Sequence, residues 1–366
     1  MNIPKGFFFS GIRSGIKKDG FDLGLICCEN LSTAVGFFTK NANPSYSVLV
    51  SKQNINNKIK AILVNSGNAN CFSHQGGVND TKNLCKKLAE ILKVKEDNIL
   101  IASTGIIGKK LPYNKIINKL PKLVSSLDNE PDRFSQSILT TDTFKKIVAR
   151  EIDMGGKRIN VLGIAKGAGM IAPNLATMLA FILTDAGINK KIFREICKRA
   201  IEASFNSITI DGCMSTNDSV YFLANSYVKF ISRSKEINDF SYTLSEVCLE
   251  LAKMIVKDGE GATKFVELNV KGAYTKKEAE LAAKYIANSP LFKSALYGNN
   301  PNWGRIISAL GHANIRVKEN RFKVLASSLE KKEVKINVYL GRGDFSYTVY
   351  TSDLTPQYVK INAGYS

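Results

Sequence analysis

The sequence predicts an α/β protein, in the broad sense that includes α+β, on three observations. Short runs rich in β-branched and other apolar residues alternate along the chain with longer segments whose apolar residues recur at three- and four-residue spacing. Hydrophobic residues make up 44% of the 366, enough to fill one large α/β unit or two domains. No internal repeat, low-complexity tract or evident linker interrupts the alternation.

Taken in order, strands are expected over Phe21–Cys28, Ser47–Ser51, Ala61–Val64, Ile99–Ser103, Lys146–Ile152, Ile159–Ala165 and Thr177–Leu183, from their apolar β-branched content. Helices are expected over Asp80–Leu92, Lys190–Ser204, Phe240–Val256, Lys276–Ile286 and Trp303–Leu310. Asn79, Asn189 and Thr275 stand just before three of these and carry side-chain oxygens able to accept a first-turn N–H, so they are read as N-caps.

Composition narrows the function. The N-terminal apolar patch Phe7-Phe8-Phe9 is too short for a signal segment and no apolar run approaches membrane-spanning length, so a cytoplasmic protein without a membrane partner is expected. Seven cysteines form an odd set with no Cys-x-x-Cys pair, which argues for buried thiols in a reducing compartment rather than a disulfide framework or zinc ribbon. The net charge of +19 raises nucleic-acid binding as an alternative. Only 11 of the 51 basic residues are arginine, and the lysines spread over helical segments such as Lys82–Lys95 and Lys276–Lys284. Arginine forks and aromatic platforms are the usual means of recognising nucleic acid, so a solvated lysine surface is the simpler account.

The stretch Lys166-Gly-Ala-Gly-Met-Ile-Ala-Pro-Asn-Leu-Ala-Thr-Met-Leu-Ala180 holds the most chemistry. A glycine-rich, lysine-bearing loop runs into Thr177 and then into an apolar run. A mid-chain threonine hydroxyl is a weak nucleophile, but a threonine that begins a chain has its own α-amino group as general base, with a reference pKa of about 7.7–8.0. Everything therefore turns on whether the Ala176–Thr177 bond is cut. Local chemistry alone favours a structural turn before a buried strand. Other catalytic plans fare worse. His74 and His312 are the only histidines and lie in no metal-binding spacing, so no metal is expected and a Ser-His-Asp triad has little support. Gly163 to Gly169 lacks both the Walker and the dinucleotide glycine patterns, so no cofactor is expected.

Lys166 to Leu179 resembles the self-cleavage segment of the ornithine acetyltransferase family, the bifunctional glutamate N-acetyltransferases. Ala61–Asn70, Ser103–Gly108, Thr140–Phe144, Ser204–Asp218, Asp258–Lys264 and Gly298–Ile306 resemble further family blocks, in the family's order, so the resemblance covers essentially the whole chain. It implies a sandwich of mixed sheets between helices, with a smaller C-terminal α/β domain. It also implies self-cleavage into an α chain, 1–176, and a β chain, 177–366, assembled as a heterotetramer of two of each. The implied nucleophile is Thr177, with Thr104 and Gly105 as the oxyanion hole. Thr140, Lys166, Thr177, Glu260, Asn362 and the terminal Ser366 are the implied substrate ligands. Lysine suits an α-carboxylate and glutamate an ammonium, as a zwitterionic amino acid requires.

The implied reaction is ping-pong acetyl transfer from N2-acetylornithine to glutamate in arginine biosynthesis. Some members also use acetyl-CoA as donor, which these residues do not reveal. An N-terminal-nucleophile aminopeptidase or amidohydrolase remains the alternative enzyme class, separated by whether peptides are hydrolysed. The chain departs from the family pattern at Ala172, at Cys213-Met214, at Asn300 and in its ending Ile361-Asn-Ala-Gly-Tyr-Ser366.

Overall fold

The structure, a computed structural model, describes residues 2–172 and 178–364. Ala176, Thr177 and Ser366 lie outside the described residues. The first half contributes β1 (Phe7–Ile12), β2 (Leu23–Phe38), α1 (Tyr46–Asn54), β3 (Lys58–Asn68), α2 (Gly77–Leu92), β4 (Ile99–Ile106), α3 (Tyr113–Ile117), α4 (Leu120–Ser125), α5 (Asp132–Ser137), β5 (Lys146–Asp153) and β6 (Arg158–Lys166). The second half contributes β7 (Leu179–Gly187), α6 (Lys190–Ala203), β8 (Ser219–Phe230), α7 (Ser234–Lys257) and β9 (Phe265–Ala273). After these come α8 (Lys276–Asn288), α9 (Pro290–Tyr297), α10 (Gly304–His312), β10 (Lys323–Ala326), β11 (Glu333–Tyr339), β12 (Phe345–Ser352) and α11 (Pro356–Gly364).

The larger sheet runs β4-β3-β2-β8-β7-β6-β5, with β1 also paired to β2. It is continuous only through β2, whose register on β3 breaks between Cys27 and Ser32. Before the break β2 pairs with β1 and β3, and after it with β8 as well, so one long strand feeds two layers. Period-two alternation shows how the layers stack. In β7, Leu179, Phe181 and Leu183 join Ile62, Val64, Leu100 and Ala102 of β3 and β4 in a core between the layers. Ala180 and Ile182 point the other way, against Phe193 and Ile196 of α6 and Val247 and Leu251 of α7. On the far side, Ala61, Leu63, Ile99 and Ile101 pack on Leu84 and Leu88 of α2. The result is helices, sheet, sheet, helices. Edge-on Phe134 and stacked Tyr221 meet Phe181 at 5.2 and 5.7 Å in the middle, contacts worth roughly 0.5–1.5 kcal/mol each beyond area burial.

The smaller C-terminal unit is a four-stranded sheet, β10-β11-β9-β12, covered by α8, α9 and α10 around Val266, Leu268, Ile286, Phe292, Ile306 and Ile336. The implied mixed-sheet sandwich with a smaller α/β unit is therefore what the chain forms. Asn189 and Thr275 cap α6 and α8 as expected, accepting from Lys191 N–H at 2.9 Å and Glu278 N–H at 3.0 Å. Asn79 does not cap α2, which starts two residues earlier behind Gly76. Ser47–Ser51 is helix, not strand. Ser45 caps it by accepting from Val48 N–H at 3.2 Å, and its buried positions, Ser47, Val48, Val50 and Ser51, fall on one helical face. The hydroxyls on that face bond to β4, Ser47 to Ser103 and Ser51 to the Ile101 carbonyl, so tertiary partners outweigh the β-branched valines.

Candidate active site

Two strand ends and three loops meet at one edge of the larger sheet. β4 ends in Ser103-Thr-Gly-Ile106 and β6 ends at Lys166, while β7 and β8 begin beside them, parallel, with Leu179 opposite Ser219. Strand termini leave backbone groups and turn residues free of the ladder, which is where side chains can converge on a ligand. Among the described residues, Thr104, Gly105, Thr140, Lys166, Glu260 and Asn362 line a single cleft of about 80 Å³, together with Thr141, Gly169, Ser215 and Asn217. A wider hollow of about 640 Å³ between α8, α9 and α10 carries none of the six.

Lys166 is buried, and its ammonium donates to Thr140 Oγ1 at 2.7 Å and Thr104 Oγ1 at 3.2 Å. Burial lowers its pKa, while Asp142 opposes the fall from 3.8 Å. Asp142 is itself enclosed. Burial favours its neutral form, but Lys166, Lys146 and the Gly167 N–H outweigh this and bring its carboxyl down to about 2. Lys146, fully buried, bridges Asp142 and Asp258, and Asp258 accepts from the Thr143 N–H at 3.0 Å. None of Asp142, Lys146 and Asp258 is among the residues expected from sequence.

Glu260 enters from the turn after α7. Its N–H donates to the Ala168 carbonyl at 2.8 Å, and its carboxylate accepts from Asn362 Nδ2 at 2.8 Å. A Cβ at Gly169 would sit 2.3 Å from that carboxyl group, so a larger residue there would displace the Glu260 carboxylate. Asn362 reaches the site because α11 turns back from the smaller unit, with Tyr358 hydroxyl donating to Asp211 at 3.2 Å.

The start of β7 is fixed from β8. Asp218 Oδ1 accepts the Met178 N–H at 3.2 Å, and the carboxyl is fully buried. Burial pushes this carboxyl well above the usual range. Asn217 ties the same loop to β4 and to the turn after β3, donating to the Ser103 and Ala69 carbonyls at 2.8 and 2.7 Å. Asp142, Asn217, Asp218 and Asp258 lie inside sequence blocks that resemble the family, so the signal for them was position within a block, whereas Lys146 lies outside every block.

Hydroxyl donors, a buried ammonium and a hydrogen-bonded carboxylate around a cleft this small suit acyl transfer between zwitterionic small molecules, and the class is that of α/β acyl-transfer enzymes. Comparison with known proteins gives the family. The profile of the ArgJ family matches residues 8–329 and 323–366. The arginine biosynthesis bifunctional protein ArgJ of Geobacter sulfurreducens is 41% identical over 392 residues, spanning 100% of both chains. The glutamate N-acetyltransferase of Methanocaldococcus jannaschii is 40% identical over 398 residues, spanning 99% of this chain and 97% of its own. A solved ornithine acetyltransferase from Mycobacterium tuberculosis, complexed with ornithine, is 28% identical and covers 46% of this chain and 92% of its own, with a TM-score of 0.41. This chain belongs to the ArgJ family.

Proposed function

We propose that this ArgJ-family acetyltransferase of arginine biosynthesis moves an acetyl group from N2-acetylornithine to glutamate through an ester on Thr177. The observation that carries the site assignment is convergence: Thr104, Gly105, Thr140, Lys166, Glu260 and Asn362, drawn from four sequence blocks and the C-terminal helix, line one cleft. Lys166 of that lining pairs with Leu179, the first residue of β7 and two residues after Thr177 in sequence.

In this reading the Thr177 hydroxyl first attacks the Ala176 carbonyl carbon. The C–N bond breaks as the nitrogen takes a proton, and water hydrolyses the resulting ester to leave Ala176 with a carboxylate and Thr177 with a free amine. That amine then serves as general base while the hydroxyl attacks the acetyl carbonyl of N2-acetylornithine. Thr104 and Gly105 donate to the oxyanion, ornithine leaves, and glutamate takes the acetyl group in the second half-reaction. Lys166 pairs the α-carboxylate and Glu260 the ammonium group, with Thr140, Asn362 and Ser366 completing the contacts. No cofactor enters this scheme, and acetyl-CoA is an additional donor to be tested.

We also propose two α and two β chains as the assembly and the cytosol as the location, the latter supported by seven unpaired cysteines, six of them buried. The test pairs a denaturing gel with an acetyl-transfer assay using both donors. The parent protein should run as two fragments and transfer acetyl from N2-acetylornithine, and Thr177→Ala should run as one band without activity. Two fragments from Thr177→Ala, or peptide hydrolysis in place of transfer, would sink the assignment.

A further inference from the structure

The charges behind the cleft wall form a chain of four, Lys166, Asp142, Lys146 and Asp258, with side chains 0–4% exposed. Three contacts of Asp142 bear on the catalytic wall. Oδ1 accepts the Gly167 N–H at 2.7 Å, Oδ2 accepts the Thr140 N–H at 3.2 Å, and Oδ2 faces the Lys166 ammonium at 3.8 Å. Asp142 thus holds the backbone on both sides of the Lys166–Thr140 contact as well as the charge itself. Lys146 is its counter-ion from behind, at 2.7 Å, and Lys146 keeps Asp258 as a second partner.

The direction of the hydroxyl protons follows from what an ammonium can do. It has three donors and no lone pair. When Lys166 donates to Thr104 and Thr140, each hydroxyl spends a lone pair on it and its single proton must point elsewhere. A neutral amine would have a lone pair to offer, and one hydroxyl could turn its proton back onto Lys166.

We propose that Asp142 is a positioning residue for acyl transfer: it keeps Lys166 a charged donor, so that Thr104 and Thr140 present their protons to the bound acyl group and substrate. The proposal rests on the acyl-transfer reading above. The groups that act on Lys166 are Asp142 and Glu260, which favour its charged form, and Lys146 and Lys17, which oppose it, while Asp218 joins the first pair only once its buried carboxyl ionises.

The experiment is the pH dependence of kcat/KM for N2-acetylornithine in the processed protein, comparing parent, Asp142→Asn and Asp142→Glu, each also combined with Thr104→Ala. Titration of the substrate is common to all and cancels. Removing one close negative charge should move the basic limb of Asp142→Asn down by about 1–2 pH units, so that a loss of about tenfold at high pH shrinks at lower pH. Asp142→Glu should keep the limb near its parental position even if kcat falls. With Thr104 already replaced, the further loss from Asp142→Asn should be smaller than in the parent, because only the part that passes through Thr140 remains.

A loss that is equal at every pH, full additivity with Thr104→Ala, or a basic limb in Asp142→Glu displaced by a whole unit would each overturn the proposal. If Asp142→Asn does not fold, the Asp142→Glu profile still decides. A parent protein that transfers no acetyl group would instead overturn the reading on which the proposal rests.

Discussion

Gly105→Ala tests whether the end of β4 is as tightly registered as the oxyanion assignment requires. Gly105 has φ +131°, and an added Cβ would lie 2.3 Å from the Gly67 carbonyl carbon and 2.5 Å from the Asn68 nitrogen. Both are backbone atoms of paired β3 and cannot swing aside. Ordinary contact starts near 3.4 Å, so β3 and β4 must part by about 1 Å in a close-packed interior. Overpacking of this kind costs roughly 1–3 kcal/mol, and the left-handed backbone adds about 1–2 kcal/mol for alanine. The catalytic cost should be larger, since a displacement of about 1 Å can cost on the order of 10²-fold in rate. Acetyl-transfer kinetics and thermal melts should be compared with Gly108→Ala, where φ is +85° and nothing lies within 4 Å. Gly108→Ala should pay only the backbone term and keep kcat. Turnover within threefold of the parent in Gly105→Ala would refute the reasoning.

Two further outcomes follow from the same geometry. Gly169→Ala should push the Glu260 carboxylate off Asn362 and raise KM for the ornithine-side substrate about 10–100-fold, the scale of one charge-assisted hydrogen bond, with a smaller change in kcat; initial-rate kinetics showing an unchanged KM would count against Glu260 as a ligand. Asp218→Asn should flatten one contribution to the pH dependence of stability. The folded carboxyl is raised above its unfolded value of 3.8, so the folded chain holds a proton that the unfolded chain releases, and stability falls as pH rises between the two. The parent's melting temperature should therefore drop relative to the variant's as pH rises above about 4, and a constant difference would exclude a raised Asp218 carboxyl.

The larger layers were readable because their strands are short apolar runs and their helices strongly periodic, as in Ile159–Ala165 and Lys190–Ser204. What escaped was set by distant partners. β8 begins straight after the polar run Ser215–Asp218, and the strands β9 to β12 have no long uninterrupted apolar core, alternating instead as in Glu333–Tyr339. The long reach of β2 to Phe38 depends on a break at residues Cys28 to Leu31 that only its two pairings explain. The α1 segment reads as strand because Val48 and Val50 alternate, and becomes helix because Ser45, Ser47 and Ser51 find partners. In the site, spacing could not bring Thr104, Lys166, Glu260 and Asn362 together, since 62 residues separate the first two and 102 the last two. Family resemblance named them, but not Asp142 or Lys146, whose importance comes from burial.

The strand order β2-β8-β7-β6 bears on the proposed cleavage. β7 and β8, from the later segment, are inserted between β2 and β6, from the earlier one, with ladder hydrogen bonds on both sides. A cut between residues 176 and 177 is thus a nick within one cooperative body rather than a division into two. Either fragment made alone would expose unpaired strand edges and half of a core, so the proposed cut belongs after folding of the whole chain.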